Sequence, residues 1–466
     1  MYHETLLRKA RQANVRVLLI GAGEYGVSFV FQSRRVPGLN VAAIADRRLD
    51  AARAAFRHAG YGDDDILACD TRERALAAIE SGRRVIAEDA RILMDLPLDV
   101  VVEATGVPEA GATHAEAAIA AGKHVVMVSK ETDSVAGPLF QARARRSGVV
   151  YTPVDGDQPS LLMQLVQWAR VVGLEIFCAG KSSEYDFVFD PARGTVDCLE
   201  RSVAAPELGS LWDLGRRRTA ELAQARSEML TALPQHTVPD LTEMGIVANA
   251  MDLNADVPEF HAPVARPLEI ADMLCPKDRG GLLANANVVD VVNCLRRPDE
   301  ASMAGGVFVV VACEDARTWE VLRAKGHVVN RAGNAAMILR PSHLLGVESA
   351  TSVLMAALEN RCSGPEETQP RVDVCGRTTK PLAAGTNLSA VGHHHRIDGI
   401  EGLMLPARAA IGDNPVPYYL MANRTLLRDV PAGTLITADM VAAPSDSALW
   451  RLRREMDRHF GLPGIE

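Results

Sequence analysis

The chain has 466 residues, 48% of them hydrophobic and 23% charged, with a formal net charge of −9. That length exceeds one core and predicts about three domains. The negative balance argues against nucleic acid as the main partner, although a local basic pocket for an anionic substrate remains compatible with it. No apolar run approaches the roughly 18 residues needed to cross a membrane, and residues 1–17 form a charged, helix-like lead-in without a signal-peptide core. Eight cysteines are scattered from Cys69 to Cys375 with no C-x-x-C pair, so reduced thiols in a cytoplasmic protein are expected.

A branched apolar strand (Val15, Val17–Ile20) runs into Gly21-Ala22-Gly23-Glu24-Tyr25-Gly26, and a helical pattern follows. A second strand, Val41–Ala45, ends on Asp46. Strand, glycines, helix, strand and terminal acid together make a dinucleotide fingerprint. In this reading Gly21 permits the tight turn, Gly23 lets the backbone reach a pyrophosphate, and Gly26 allows close helix-to-strand packing. The helix N-terminus, opening at Glu24 and Tyr25, offers N–H donors and the positive dipole end. Asp46 suits the ribose hydroxyls of NAD, whereas Arg47 and Arg48 suit the 2′-phosphate of NADP. NADP(H) is favoured over NAD(H).

Helices are predicted over Leu49–His58, Arg72–Ile79, Pro108–Ala121 and Asp133–Arg146. Strands are predicted over Asp99–Glu103, His124–Val128 and Val149–Val154. This alternation predicts a doubly wound parallel Rossmann sheet over residues 1–155. Ligands of such sheets lie beyond the carboxyl ends of the strands, which singles out Thr105, Gly106, Ser129, Lys130, Glu131 and Asp155. A lysine at such an end, Lys130, can polarise a carbonyl or relay a proton during hydride transfer.

An α+β substrate and dimerisation domain is expected over residues 156–360. Its helix Ser160–Val172 and strand Leu174–Ala179 lead into the polar cluster Gly180–Asp186. Lys181, Ser182, Ser183 and Glu184 could hold an anionic substrate, or a metal through carboxylates. Thr242–Leu253 is a plausible helix with Glu243 in its first turn. The loop Pro276–Gly281 could bring positive charge to a phosphate, but a solvated turn is the favoured reading, and His343 beside apolar residues suits a structural histidine. Leu345–Glu359 is a helix suited to returning across the domain junction.

A polar linker, Arg361–Arg371, opens the third domain, residues 361–466. Thr379–Leu388 and Leu427–Ile436 share a kernel around Ala-Gly-Thr, which suggests a small β-rich module. Between them, His393-His394-His395-Arg396 suits a surface loop. A phosphate contact from His395 or Arg396 is the functional alternative. Adjacent histidines on a strand cannot all face one metal.

IGAGEYG, DVVVEATG and HVVMVSKE, followed by a strand ending in Gly-Lys, resemble the NAD-binding family of homoserine dehydrogenase. LLRDVPAGTLITADMV resembles a SAF domain. The combination is similar to the SAF-domain oxidoreductases, which include reductoisomerase-like (DRL) enzymes. The resemblance implies a catalytic Lys130, a second lysine in the substrate domain (Lys181), and a dimer or higher homo-oligomer. It also implies conversion of 1-deoxy-D-xylulose 5-phosphate to 2-C-methyl-D-erythritol 4-phosphate, an isoprenoid precursor, with NADPH and a divalent metal such as Mg or Mn. The ligands of that metal stay open among Glu131, Asp155, Asp157 and Glu184. This chain carries Glu24 and Tyr25 where the family's glycine loop commonly has a lysine and an aromatic residue, and the NGTTN-type segment of homoserine dehydrogenase itself is absent. The alternatives are a dehydrogenase of another small polyol, sugar acid or homoserine-like compound, and a non-catalytic dinucleotide-sensing or carbohydrate-binding protein. The expected substrate is a small phosphorylated or polyhydroxylated molecule.

Overall fold

The computed structural model describes residues 2–464 apart from Ser342 and His393, and apart from the side chains of Tyr2 and Leu345. The first unit is a seven-stranded sheet with every neighbouring pair parallel. Its order is Ile66–Ala68, Arg84–Ala87, Leu39–Ala45, Val15–Ile20, Val100–Glu103, His124–Met127, Tyr151–Pro153. The central strands are buried along nearly their whole length, as expected for a sheet covered on both faces. The strand order reverses beside Val15–Ile20, which places the ligand crevice at the glycine loop.

The second unit is a mixed sheet centred on Ile176–Ser182, paired in parallel with Val288–Arg296 and antiparallel with Val307–Ala312. That central strand runs three residues beyond the predicted Leu174–Ala179, through Gly180, Lys181 and Ser182. Both neighbours keep pairing there, since Lys181 lies opposite Val291 on one side and Val307 on the other. The polar cluster therefore begins inside the sheet rather than in a loop. The helix Val238–Met251 packs behind it and is buried at twelve positions, Asp240 and Glu243 among them.

The helix Lys130–Arg146 starts three residues earlier than predicted. Ser129 is its cap and Lys130 its first residue, so Lys130 sits in a helical first turn and not at a strand end. The predicted helix over 345–359 divides into a short turn, Leu345–Val347, and the helix Ala350–Glu359. That helix buries Val353, Leu354 and Met355 in the same core as Leu6, Val17, Val100 and Val126. By packing it belongs to the first unit, although it follows the second in sequence.

Two connections thus join the units, and Asp155 knits them together. Its N–H donates to Ser352 Oγ (2.6 Å), its Oδ1 accepts from Gln164 Nε2 (2.5 Å), and Ser352 Oγ is 2.8 Å from Ser363 Oγ. Burial pushes the Asp155 carboxyl up from 3.8 to about 6, against the lowering effect of Ser363 and Gln164. A carboxyl raised in the folded state stabilises the fold below its ordinary value and loses that contribution as pH climbs to the folded value. The rise from 3.8 to about 6 corresponds to about 3 kcal/mol. Asp155→Asn, which keeps an acceptor for Gln164, should therefore flatten the loss of unfolding free energy between pH 4 and 6 by about that amount. Denaturant titrations at the two pH values measure it, and parallel slopes in wild type and variant would refute the assignment.

In the last unit, Val372–Thr378 and Ile400–Pro406 form an antiparallel ribbon. The two repeat segments lie against each other through the bridge Leu382–Val430, and the second also bridges the ribbon strand at Arg377–Leu435. The unit is not purely β: Ala448–Phe460 is a helix whose amphipathic face buries Leu449, Trp450, Leu452 and Met456. Asn249 on Val238–Met251 fastens the unit down, accepting from the N–H groups of Arg371 (2.7 Å) and Val372 (2.9 Å). Among the described residues no helix is long and apolar enough to cross a membrane. All eight cysteines are free, and all but Cys362 are buried.

Candidate active site

Three glycines shape the cofactor loop. Gly21 has φ +102°, and a Cβ there would lie 2.5 Å from the Ala104 carbonyl oxygen. At Gly26 a Cβ would meet the Gly21 carbonyl at 2.4 Å, so only glycine lets the helix Glu24–Ser33 approach the strand this closely. Gly23 faces open space. This cradle fits a dinucleotide pyrophosphate at a helix N-terminus. Asp46 closes the far side of the loop, its Oδ2 accepting from the Ala22 N–H and its Oδ1 from the Arg48 N–H, both at 2.8 Å. Arg47 and Arg48 are exposed beside it. On the neighbouring strand ends, the Gly106 N–H donates to Ser129 Oγ (2.8 Å) and the Thr105 hydroxyl to buried Glu103 (2.6 Å).

Tyr25 does not face the phosphate cradle. Its hydroxyl donates to Ser349 Oγ (2.8 Å) on the returning segment, and burial raises its pKa far above the ordinary value. Ser349 in turn contacts the Asp155 carbonyl at 3.4 Å, so Tyr25 ties the glycine loop to the connection between units. Glu24 is exposed at the loop, close enough to Tyr185 of the second unit to act on its hydroxyl.

The two lysines singled out above come together. Glu243 bridges them: its Oε1 accepts from Lys130 Nζ at 2.5 Å and its Oε2 from Lys181 Nζ. Lys181 also pairs with Asp240 (2.7 Å), and Lys130 with Asp157 (3.4 Å). Asp240 is held by the hydroxyls of Thr237 (2.7 Å) and Ser183 (2.9 Å). Burial alone would lower both lysines, but Asp157 and Glu243 hold Lys130 well above its usual value, and Asp240 and Glu243 raise Lys181. Burial alone would raise Glu243, but Lys130 and Lys181 pull it down to about 2. Both ammonium groups and the bridging carboxylate are therefore charged across the physiological range.

The lysines differ in access. Lys130 keeps 31% of its side chain exposed, whereas Lys181 has 1%. Lys181 is enclosed by Glu243 and Asp240, with its ammonium committed to both. Ser182 points to the other sheet face, and its buried Oγ has no hydrogen-bond partner. Glu184 engages Tyr185. Asp186 pairs with Arg296 (2.5 Å) and is structural. Arg279 of the Pro276–Gly281 loop stacks over Phe177 and donates to the Asn334 carbonyl, so it is not poised for a phosphate. His343 packs against Gly305 near Gln158, its Nδ1 buried without a partner.

The histidine segment is not a free surface loop. His393 lies outside the described residues. His394 and Arg396 line a cavity of about 740 Å³ between the second and third units, together with Tyr185, His236, Thr237 and Tyr418. Thr237, whose hydroxyl donates to Asp240, places that cavity one hydrogen bond from the lysine cluster. His395 turns toward Glu131.

A divalent cation fits these residues poorly. The cluster's carboxylates, Asp157, Asp240 and Glu243, face ammonium groups. Among the described residues no three His, Cys, Asp or Glu side chains gather as a metal site.

Asp240 and Glu243 were missed as partners of the lysines. The available signal was two acids three residues apart at the start of a mostly apolar helix, a spacing that places both on one face.

Residues 21–152 match the NAD binding domain of homoserine dehydrogenase, and residues 156–349 match the catalytic domain of oxidoreductase DRL. The chain resembles the DRL oxidoreductases. It is 36% identical over 207 residues to a 1-deoxy-D-xylulose 5-phosphate reductoisomerase of Methylococcus capsulatus, covering 43% of this chain and 51% of that protein. A protein of the same name from Bordetella pertussis is 34% identical over 96 residues, 21% of this chain and 23% of that one. The chain thus spans about half, or less, of the curated relatives it matches. Among solved structures, a probable dehydrogenase from Thermotoga maritima aligns over 75% of this chain and 90% of its own, at 12% identity and a TM-score of 0.35.

Proposed function

We propose that the chain is a cytoplasmic, homo-oligomeric NAD(P)-dependent oxidoreductase acting on a small phosphorylated or polyhydroxylated carbonyl compound. Its most specific form is the reductive isomerisation of 1-deoxy-D-xylulose 5-phosphate to 2-C-methyl-D-erythritol 4-phosphate. The observation that carries the reading is Glu243 bridging Lys130, in the first turn of the helix that follows the strand His124–Met127, and Lys181 of the second unit. When bound, the reduced nicotinamide supplies a hydride to the carbonyl carbon. Lys130, the accessible ammonium, hydrogen-bonds the carbonyl oxygen and gives it a proton as negative charge develops there. Glu243 and Asp157 hold that ammonium in place, and Lys181 and Asp240 fix Glu243. The cavity beside Thr237 supplies room for the rest of the substrate.

The poor fit to a divalent cation favours, as the second reading, a plain dehydrogenase of a small hydroxy compound. Following NADPH oxidation with 1-deoxy-D-xylulose 5-phosphate, then with a panel of keto sugars and sugar acids, separates the two. Complementation of a strain lacking its usual reductoisomerase gives the cellular test. Cofactor binding with no turnover on any of them would leave a dinucleotide sensor.

The reading takes NADP(H) as the preferred cofactor, with Arg47 at the 2′-phosphate. Arg47→Ala should raise the KM for NADPH about tenfold, the scale of one exposed charge-assisted contact, and leave that for NADH unchanged. Equal effects on both cofactors, or none, would remove Arg47 from the role.

A further inference from the structure

Three side chains outside the lysine cluster meet where the first unit touches the last. Glu131 follows Lys130 in the first turn of its helix and is 15% exposed. Its Oε1 lies 3.7 Å from His395 Nδ1, a gap that a small side-chain turn closes. The same nitrogen is 2.9 Å from the Tyr419 hydroxyl, and the two rings meet edge-on with centroids 5.5 Å apart. Tyr419 is buried, and its hydroxyl also engages Thr242, the neighbour of Glu243. His395 adopts φ +47°, a left-handed conformation that costs a non-glycine residue about 1 kcal/mol or more. The Tyr418 hydroxyl pins it there, donating to the His395 carbonyl at 2.9 Å and accepting from the Ile397 N–H at 3.2 Å. Two tyrosines thus hold a strained histidine facing Glu131, the residue beside Lys130.

We propose that Glu131, His395 and Tyr419 form a proton relay, contributed in part by the C-terminal unit, that recharges Lys130 after it gives up its proton. The proposal rests on the reading of Lys130 as the acid of an oxidoreductase. Each turnover in the reductive direction moves one proton at every step. Lys130 loses it to the substrate oxygen, and the neutral amine takes one from the Glu131 carboxylic acid through solvent in the cleft, since the Lys130 ammonium itself contacts Glu243 and Asp157. The Glu131 carboxylate takes one from the His395 imidazolium, and His395, 28% exposed, takes one from solvent. No electrons move through the relay. Tyr419 fixes the imidazole and its tautomer.

The groups facing Glu131 suit it to this task. Burial pushes its carboxyl up to about 7; Lys130 opposes that rise, and Glu103 and Asp157 add to it, while His395 and Tyr419 close the remaining side. A carboxyl near 7 can both hold and release a proton at neutral pH.

The test uses the full chain with His395→Asn, since asparagine tolerates the left-handed backbone, with Tyr419→Phe, and with Glu131→Gln. His395→Asn should lower kcat about tenfold or more at neutral pH with cofactor affinity unchanged, and added imidazole should restore part of the loss. Tyr419→Phe should displace the limb of the kcat profile near pH 7. Independently of turnover, the Glu131 carboxyl band, identified by its loss in Glu131→Gln, should titrate near pH 7 by difference infrared spectroscopy and move by about half a pH unit or more in His395→Asn. A Glu131 titration unmoved in both variants overturns the relay, as does a loss of kcat that imidazole leaves untouched. Absence of hydride transfer by the wild-type chain on every substrate would instead sink the oxidoreductase reading, and the infrared titration would still decide whether the three side chains share a proton.

Discussion

Lys130→Met should bind NAD(P)H as the wild type does and turn its substrate over about 10²–10⁴-fold more slowly, the range that removal of a positioned acid produces. The argument is electrostatic. Lys130 is the ammonium of the cluster that the cleft can reach, at 31% exposure against 1% for Lys181. Its removal leaves Glu243 still paired with Lys181, so the fold keeps a compensated carboxylate there. Lys181→Met is a different experiment. It strips the ammonium from Asp240 and leaves Glu243 to Lys130 alone. Breaking a buried pair in that way costs about 3–5 kcal/mol, so loss of activity would come with loss of stability. The two variants together separate chemistry from scaffold. Steady-state kinetics and cofactor titration on Lys130→Met, beside denaturant unfolding of both, measure it. Wild-type kcat in Lys130→Met would take the lysine out of the chemistry.

The largest effect on stability should come from Arg453→Met. Arg453 is wholly buried and makes two bonds of 2.6 Å to Asp373, one of 2.6 Å to Asp457 and one of 2.8 Å to the Arg408 carbonyl. The arrangement clamps the helix Ala448–Phe460 onto the ribbon strand Val372–Thr378. Without the guanidinium, two carboxylates at 4% and 2% exposure face each other uncompensated. A destabilisation of about 3–5 kcal/mol follows. Neutralising the partners as well, with Asp373→Asn and Asp457→Asn, should recover much of it, because the cost lies in the stranded charges rather than in the lost bonds. Urea unfolding of the single and triple variants measures both. A single-variant loss below about 1 kcal/mol would mean that water reaches the clamp.

Residues whose chemistry follows local chain geometry were legible in the sequence. Val15–Ile20, Gly21, Gly23, Gly26 and Asp46 define a turn whose parts lie within one strand–helix–strand unit, and glycine spacing reports steric limits directly. Lys130 and Lys181 were singled out by position at strand ends, and the structure brings them to one carboxylate. The carboxylate itself was not assigned, because Glu243 lies 62 residues from Lys181 and 113 from Lys130. Nothing local to a helix of apolar residues says which lysines its acids will meet. Lys181 illustrates a second limit: its residue type was informative, but its burial depended on two neighbouring strands extending past it. His395 and Tyr419 lie furthest from sequence-level inference, since their proximity to Glu131 exists only once the third unit has docked.

The return of Ala350–Glu359 to the first sheet makes the cofactor-binding unit discontinuous along the chain. Its apolar face is completed by Val353, Leu354 and Met355, which are synthesised only after the whole second unit. A fragment ending at Pro153 would leave that face bare, so the N-terminal part should not mature independently on the ribosome. Cofactor affinity should appear late in synthesis, once residue 359 has emerged, and the second unit would then fold as a loop closed at both ends.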